Sequence, residues 1–272
     1  VRYILSDDTE PGEPAPVQPS PRRPLWRRAI GPGVAAIVAA ALTGAIIYLA
    51  TPTRAPEITR FRLSAADGTR LSLDTQSRDL AITRDGRRVI FKGDRGTFRD
   101  VQLSRLFVQS LDSLEPTPLV SAGRPRAPFS SPDGQWVGFV DVGGTLSLKK
   151  VAVTGGPAMQ ICTLDGASRG FTWGDDDHII FGTAAPTGLH RVSAEGGNPT
   201  VLTTPNRERG EADHLWPQLL PGGRAVLFTI TSTTQGQEAS QIAILELPAG
   251  TPRIVIRGGS QAQYVQSGHL VY

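Results

Sequence analysis

Cysteine is almost absent from the chain: Cys162 stands alone, so no intramolecular disulfide can form and stability has to come from packing. A surplus of charge of one sign is missing too. The formal charge is +3 over 272 residues, and the arginines are scattered rather than gathered on one stretch, which leaves no electrostatic footprint for nucleic acid. Long apolar or helix-forming runs are lacking outside residues 29–50. Punctuation is what the chain has in quantity. Thirty Gly and 22 Pro favour an all-β domain rich in turns. There is no initiating Met, and the last two residues, Val271 and Tyr272, lie in a strand-like run, so the chain reads as an excerpt of a longer polypeptide.

Residues 1–28 pass into SDDTEPGEPAPVQPSPRRP, where acids and prolines leave nothing to bury, and are expected to be a Pro-rich linker. Residues 29–50 carry no charge across 22 positions. At about 1.5 Å per residue a helix of that length spans the ~30 Å hydrocarbon layer, so one transmembrane helix is expected there. It is longer than the roughly 7–15 apolar residues of a signal peptide core. Arg22, Arg23, Arg27 and Arg28 flank its N-terminal side, whereas Arg54 stands against Glu57 on the other. The positive-inside bias then places the linker in the cytoplasm and everything after a short connector, 51–56, outside the inner (cell) membrane.

From residue 57 onward the sequence repeats. Five segments close on an aromatic: LAITRDGRRVIF at Phe91, APFSSPDGQWVGF at Phe139, GFTWGDDDHIIF at Phe181, WPQLLPGGRAVLF at Phe228 and AQYVQSGHLVY at Tyr272. The intervals are 48, 42, 47 and 44 residues, near the ~40–45 of a four-stranded propeller blade. Asp85-Gly86, Asp133-Gly134, Gly222-Gly223 and Ser267-Gly268 supply hairpin turns, and Gly174 to Asp177 substitutes for them in the third copy. A second hairpin follows each of the first four. Its turns, such as Thr154-Gly155-Gly156 and Glu195-Gly196-Gly197, lead to Pro157 or Pro199 before the outermost strand, where proline is tolerated. Runs such as RVIF, WVGF, HIIF and AVLF are continuously apolar, as in strands packed on both faces. The fold expected over 57–272 is a β-propeller of four-stranded antiparallel blades, with four to five blades present as an open arc whose first and last units lie apart.

The turn Ser131-Pro132-Asp133-Gly134 before a strand ending in Phe139 resembles the TolB-like propeller repeats. Taken together, SPDGQWVGF, KKVAVTGGP, FTWGDDDHIIF, LHRVSAEGG, WPQLLPGGRAVLFT and YVQSGHLVY are similar to the extracytoplasmic propeller of bacterial receptor-type serine/threonine protein kinases. In that family a cytoplasmic kinase domain, a Pro-rich linker and one membrane helix precede the repeats. The resemblance implies a sensor or interaction role, with ATP and magnesium belonging to a kinase domain outside this stretch. The kinase motifs are absent here: there is no glycine-rich nucleotide loop, Val-Ala-Ile-Lys strand, His-Arg-Asp or Asp-Phe-Gly. Nor is there a Gly-x-Ser-x-Gly elbow. No cofactor, metal or catalytic residue is expected in the chain itself. Alternatives are a membrane-tethered scaffold, a peptidase-associated propeller, or the outer domain of a winged-helix regulator.

In such a propeller the Asp-Gly and Gly-Gly turns share one face, and the remaining loops share the other, where binding is expected. That face would take a protein or small-molecule ligand. It carries Arg95 and Arg99, then Arg124 and Arg126, then Arg169, and finally the dense run Arg207, Glu208, Arg209, Glu211, Asp213 and His214. The bland alternative for that run is a solvated loop between blades. Asp175, Asp176, Asp177 and His178 invite a metal, but adjacent side chains on a hairpin diverge, and they are expected to decorate a turn. His190, His214 and His269 lack metal-ligand spacing. Trp136, Trp173 and Trp216 are expected to fill space between blades, and Cys162 to be a small buried hydrophobe.

Overall fold

The computed structural model describes residues 38–44, 63, 70–72, 78–94, 104–120, 123–185, 188–233, 239–248, 250–265 and 267–272. The chain divides into two units, Val1–Thr59 and Arg60–Tyr272. In the first, residues 38–44 are helical, and among the described residues no helix is long and apolar enough to cross a membrane. The rest of the expected span over 29–50, the linker 1–28 and the connector 51–56 lie outside the described residues.

The second unit is a succession of antiparallel sheets. The first contains β1 (Arg70–Leu71), β2 (Leu80–Ile82), β3 (Arg88–Asp94), β4 (Ser104–Ser110) and β5 (Thr117–Val120), with β1 and β2 both paired to β3. The second runs in order through β6 (Pro125–Ser130), β7 (Trp136–Asp141), β8 (Ser147–Ala152) and β9 (Met159–Thr163). The third is β10 (Ser168–Trp173), β11 (His178–Thr183), β12 (Leu189–Ser193) and β13 (Thr200–Val201). The fourth is β14 (Glu211–Leu219), β15 (Ala225–Ser232), β16 (Gln241–Glu246) and β17 (Arg253–Arg257). A final hairpin pairs β18 (Gln263–Tyr264) with β19 (Leu270–Val271). Each four-stranded sheet is thus the double hairpin that the repeat predicts.

The turn of every first hairpin has one geometry. An N–H three residues on bonds back to the carbonyl of Thr83, Ser131, Gly174, Leu220 or Val265. The donor residue is left-handed in all five, with φ 69° at Gly86, 67° at Gly134, 58° at Asp177, 67° at Gly223 and 83° at Gly268. The third copy departs from glycine without departing from the conformation, because a short polar side chain tolerates that region. The Ser/Thr-x-Asp-Gly form locks itself further. Ser131 Oγ donates to Asp133 at 2.5 Å and accepts from Trp136 N–H, while Gln135 N–H bonds the same carboxylate. These bonds, the Ser131 hydroxyl first, hold the Asp133 carboxyl below the usual carboxylate range.

Packing follows the repeat. Phe91, Phe139, Phe181 and Phe228 occupy equivalent positions on the second strand, and all four are at most 1% exposed. Phe139 sits among Ile90, Leu106 and Leu119 of the sheet before it, Phe181 against Phe129, Leu148 and Ile161, and Phe228 against Ile180 and Leu189. Phe139, Phe181 and Phe228 therefore fill the gap toward the preceding sheet. Phe91 instead packs at the free flank of the first sheet with Phe107, Leu63 and Leu111, and the last closing aromatic, Tyr272, is 62% exposed. The residue before each Phe faces the following sheet, which explains the unbroken apolar runs: both faces are buried. Cys162 lies inside the second cluster, where burial pushes its thiol up to about 11.

The first strands adjoin at the axis. Ala127 N–H bonds Asp79 Oδ1 at 3.1 Å, Leu219 N–H bonds Thr172 Oγ1 at 3.1 Å, and Gln218 and Tyr264 bond reciprocally. The hairpin β18–β19 covers Leu227 and Ile242 but leaves the outer strand β17 bare, with Ile254 and Val255 each 38% exposed. The counterparts of Val255, Leu119 and Ile161, are buried under a following sheet, whereas those of Ile254, Pro118 and Gln160, are exposed as it is. Among the described residues no apolar cluster joins this hairpin to the first sheet, but Arg78 donates to Gln261 Oε1 at 3.2 Å, so the expected separation of the first and last units does not hold at the axis.

Candidate functional site

Strand direction fixes which residues meet at each end of the axis. The Asp-Gly and Gly-Gly turns fall at one end, and residues 142–146, 164–167 and 203–210 fall at the other. Arg124, Arg126, Arg169, Glu211 and Asp213 stand at or just before the starts of inner strands, and Arg207, Glu208 and Arg209 form a 3-10 turn leading into β14. All belong to the loop end. Arg95 and Arg99 lie outside the described residues.

The arginines do not converge on one point. Arg124 gives its backbone N–H to Asp141 Oδ1, Arg169 bonds the carbonyl of Ser168, and Arg207 bonds the carbonyl of Glu211. The dense run is a built structure instead. Asn206 caps the turn by accepting from Arg209 N–H, and Gly210 ends it in the left-handed region at φ 76°. Glu211 Oε2 accepts from Asn206 N–H at 2.7 Å and lies 3.1 Å from His214 Nε2. His214 Nδ1 is 2.8 Å from Thr203 Oγ1, which also accepts from Leu189 N–H. A carboxylate can only accept, so the neutral imidazole donates Nε2–H to Glu211 and accepts the Thr203 hydroxyl proton at Nδ1.

This network pins the loop rather than doing chemistry at an open surface, since His214 is 1% exposed and rests against the Phe228 ring. Burial outweighs the neighbouring Glu211 and Asp213 charges and lowers the His214 pKa below its ordinary 6.5. In the unfolded chain the imidazole takes up a proton below about pH 6.5, whereas in the folded chain it resists until lower pH. Stability is therefore full above that pH and falls as pH drops toward the folded value. Thermal unfolding at pH 7.5 and 5.5 should show a loss on acidification that is smaller in His214→Gln.

A different set of residues makes the cavity. In four of the five repeats a left-handed residue lies in or just before the inner strand, four positions before its turn: Ala127 at φ 47°, Gly170 at 98°, Trp216 at 52° and Gln261 at 56°. The ladder slips at the first three, between Arg126 and Phe129, Ser168 and Phe171, and Leu215 and Gln218. These are bulges, which bend a strand and re-aim its side chains. Gly170 has a further reason to lack a side chain, because a Cβ there would lie 2.8 Å from Trp216 Cα. A bulky residue such as Trp216 in this region is uncommon, and such positions concentrate at binding sites.

Between the bent strands lies a cavity of about 190 Å³. Its wall is Leu80, Pro128, Phe129, Phe171, Trp216 and Pro217, and its polar side chains are Arg78 and Ser168. Phe129 and Phe171 stack at 4.7 Å and 5°, which fixes that wall. Five of the lining residues also border a second space, of about 320 Å³, that continues toward the Asp-Gly turns and reaches Gln263. Trp173 fills space between blades as expected, and Trp136 packs on the same cluster. Trp216 does not. It lines the axial cavity instead.

The aspartates of the third turn go to separate partners: Asp175 to Arg84, Asp176 to Arg191 and Asp177 to the Trp173 indole N–H. His190 stacks on Phe181, and His269 bonds Ser267.

No family model matches the sequence, and no curated protein matches it. Solved structures do. A putative TolB from Agrobacterium tumefaciens superposes with a TM-score of 0.54 at 15% identity, over 66% of this chain and 66% of that one. TolB from Acinetobacter baumannii gives 0.56 at 16% identity, over 72% and 48%. A puromycin hydrolase mutant complexed with PGG gives 0.50 at 14%, over 70% and 32%. The chain thus spans about two thirds of one TolB and about half of the other. At such identities the likeness is one of fold, and the fold is a TolB-like β-propeller.

Proposed function

We propose that this TolB-like propeller is the non-catalytic, extracytoplasmic sensor or interaction domain of a membrane-spanning serine/threonine protein kinase. It is held outside the inner membrane by residues 29–50, with the linker 1–28 in the cytoplasm. The order of segments carries this reading: an arginine-flanked, Pro-rich linker, then 22 uncharged residues, then the repeats. The wording of the repeats supports it. The loop end of the axis is the receiving face, because loops on a rigid scaffold there lead to a cavity. Ligand or partner capture there would bias the kinase through the single helix.

A second reading has one observation in its favour, the fold likeness to a puromycin hydrolase, of which this chain spans 32%. Under it the propeller accompanies a peptidase domain. Reading the gene in frame on both sides decides between them. A His-Arg-Asp catalytic loop and an Asp-Phe-Gly upstream of Val1 are expected. A winged helix upstream, or a Gly-x-Ser-x-Gly elbow beyond Tyr272, would sink the kinase reading.

A further inference from the structure

The axial cavity holds a cation without a counter-charge. Several basic groups of the propeller are matched by carboxylates: Lys92 by Asp79, Lys149 by Asp141, Lys150 by Glu195 and Arg191 by Asp176. Arg78 is different. Its side-chain hydrogen bond goes to a neutral amide, Gln261 Oε1, at 3.2 Å, and no carboxylate lies within ion-pair distance of it among the described residues. The Arg78 side chain is exposed where it lines the cavity, and the strands that partly enclose it pull its pKa below the ordinary guanidinium value.

The remainder of the cavity is apolar, and its shape limits the occupant. Pro128, Pro217, Phe171 and Trp216 form the walls, and Ser168 adds a hydroxyl. The volume of about 190 Å³ is below the roughly 300–1,000 Å³ of sites for drug-sized ligands, so it suits one side chain and its carboxylate. A phosphate would ask for several donors, whereas one planar guanidinium matches one carboxylate in a forked pair. Trp216, held by its bulge against Gly170, gives a flat platform on the far side.

We infer that the axial cavity binds a carboxylate attached to an aromatic or branched apolar group, with the carboxylate on Arg78 and the apolar group against Trp216 and Phe171. The inference rests on the loop end being the receiving face and does not depend on the kinase. Two sources share this chemistry, a free N-acylated amino acid and the C-terminus of a peptide.

Calorimetric titration of the full 272-residue chain in detergent tests it. The probes are N-acetyl-L-phenylalanine, its primary amide, and a hexapeptide ending in phenylalanine as free acid or amide. At least one acid should bind about tenfold more tightly than its amide, the effect of a charged hydrogen bond. Binding of the peptide acid alone identifies a protein C-terminus as the source, and binding of the small acid identifies a free metabolite. Arg78→Gln should erase the preference for acid over amide. Trp216→Gly, whose backbone accepts the left-handed turn with less strain, should keep the circular dichroism of the parent and weaken every probe. Equal binding of acids and amides, no binding of either acid, or a preference that survives Arg78→Gln would overturn the inference. An upstream sequence without a kinase would end the kinase reading and leave this result standing.

Discussion

Replacing Phe139 by alanine is expected to lower the stability of the propeller by about 4 kcal/mol, within the ~3–5 kcal/mol typical of a fully buried phenylalanine. The ring is 1% exposed and lies between two sheets, among Ile90, Leu106, Leu119 and Val137. Its loss removes the transfer energy of the ring and leaves a void that two hydrogen-bonded sheets cannot easily close. Phe91→Ala should cost less, about 3 kcal/mol, because that ring packs in a smaller cluster at the flank of the first sheet. Urea denaturation should shift the midpoint in both variants with little change in slope. Equal losses in the two would contradict the asymmetry.

Asp79→Ala is expected to cost about 3 kcal/mol, at the low end of the ~3–5 kcal/mol for breaking a buried ion pair from one side. The Asp79 carboxylate is 0% exposed and the Lys92 side chain 4%, with 3.7 Å between them. The same carboxylate accepts the Ala127 N–H freed by the bulge, so its removal strands both a charge and a buried donor between the first two sheets. Asp94, 3.5 Å from Lys92 and partly exposed, softens the loss. Adding Lys92→Met to Asp79→Ala should recover at least ~1 kcal/mol, since the stranded charge is then gone. A strictly additive double mutant would show that the pair is not coupled.

The sequence revealed the periodic part of the fold because turns and closing aromatics are local signals. Gly86, Gly134, Gly223 and Gly268 announce left-handed turns, and Phe91, Phe139, Phe181 and Phe228 announce the gap between sheets. Asp177 shows that even the departing copy keeps the conformation. The axial site was hidden for equally physical reasons. Nothing local tells that Ala127, Trp216 and Gln261 are left-handed, since their conformation is imposed by a neighbouring strand. Arg78 sits ahead of a three-residue strand, away from the charge-dense loop that draws the eye, and its significance depends on the absence of a carboxylate that only coordinates reveal. Asp79 and Lys92 face each other across the first hairpin, next to the Leu80–Phe91 pair, but nothing local tells that both are buried. The run from Arg207 to His214 was legible as dense, but its density proved to be an internal clasp closed by His214 and Glu211.

Because Phe139, Phe181 and Phe228 each lean toward the sheet before them, the row of sheets has a head and a tail that are not interchangeable. Its leading flank is plugged by Phe91 and Phe107 beneath Leu63 and Leu111, whereas its trailing flank bares Val255. Two such rows brought face to face by a twofold axis would set plug against plug or bare flank against bare flank. Growth by the packing already used inside the molecule can only proceed in single file, each newcomer joining by its plug.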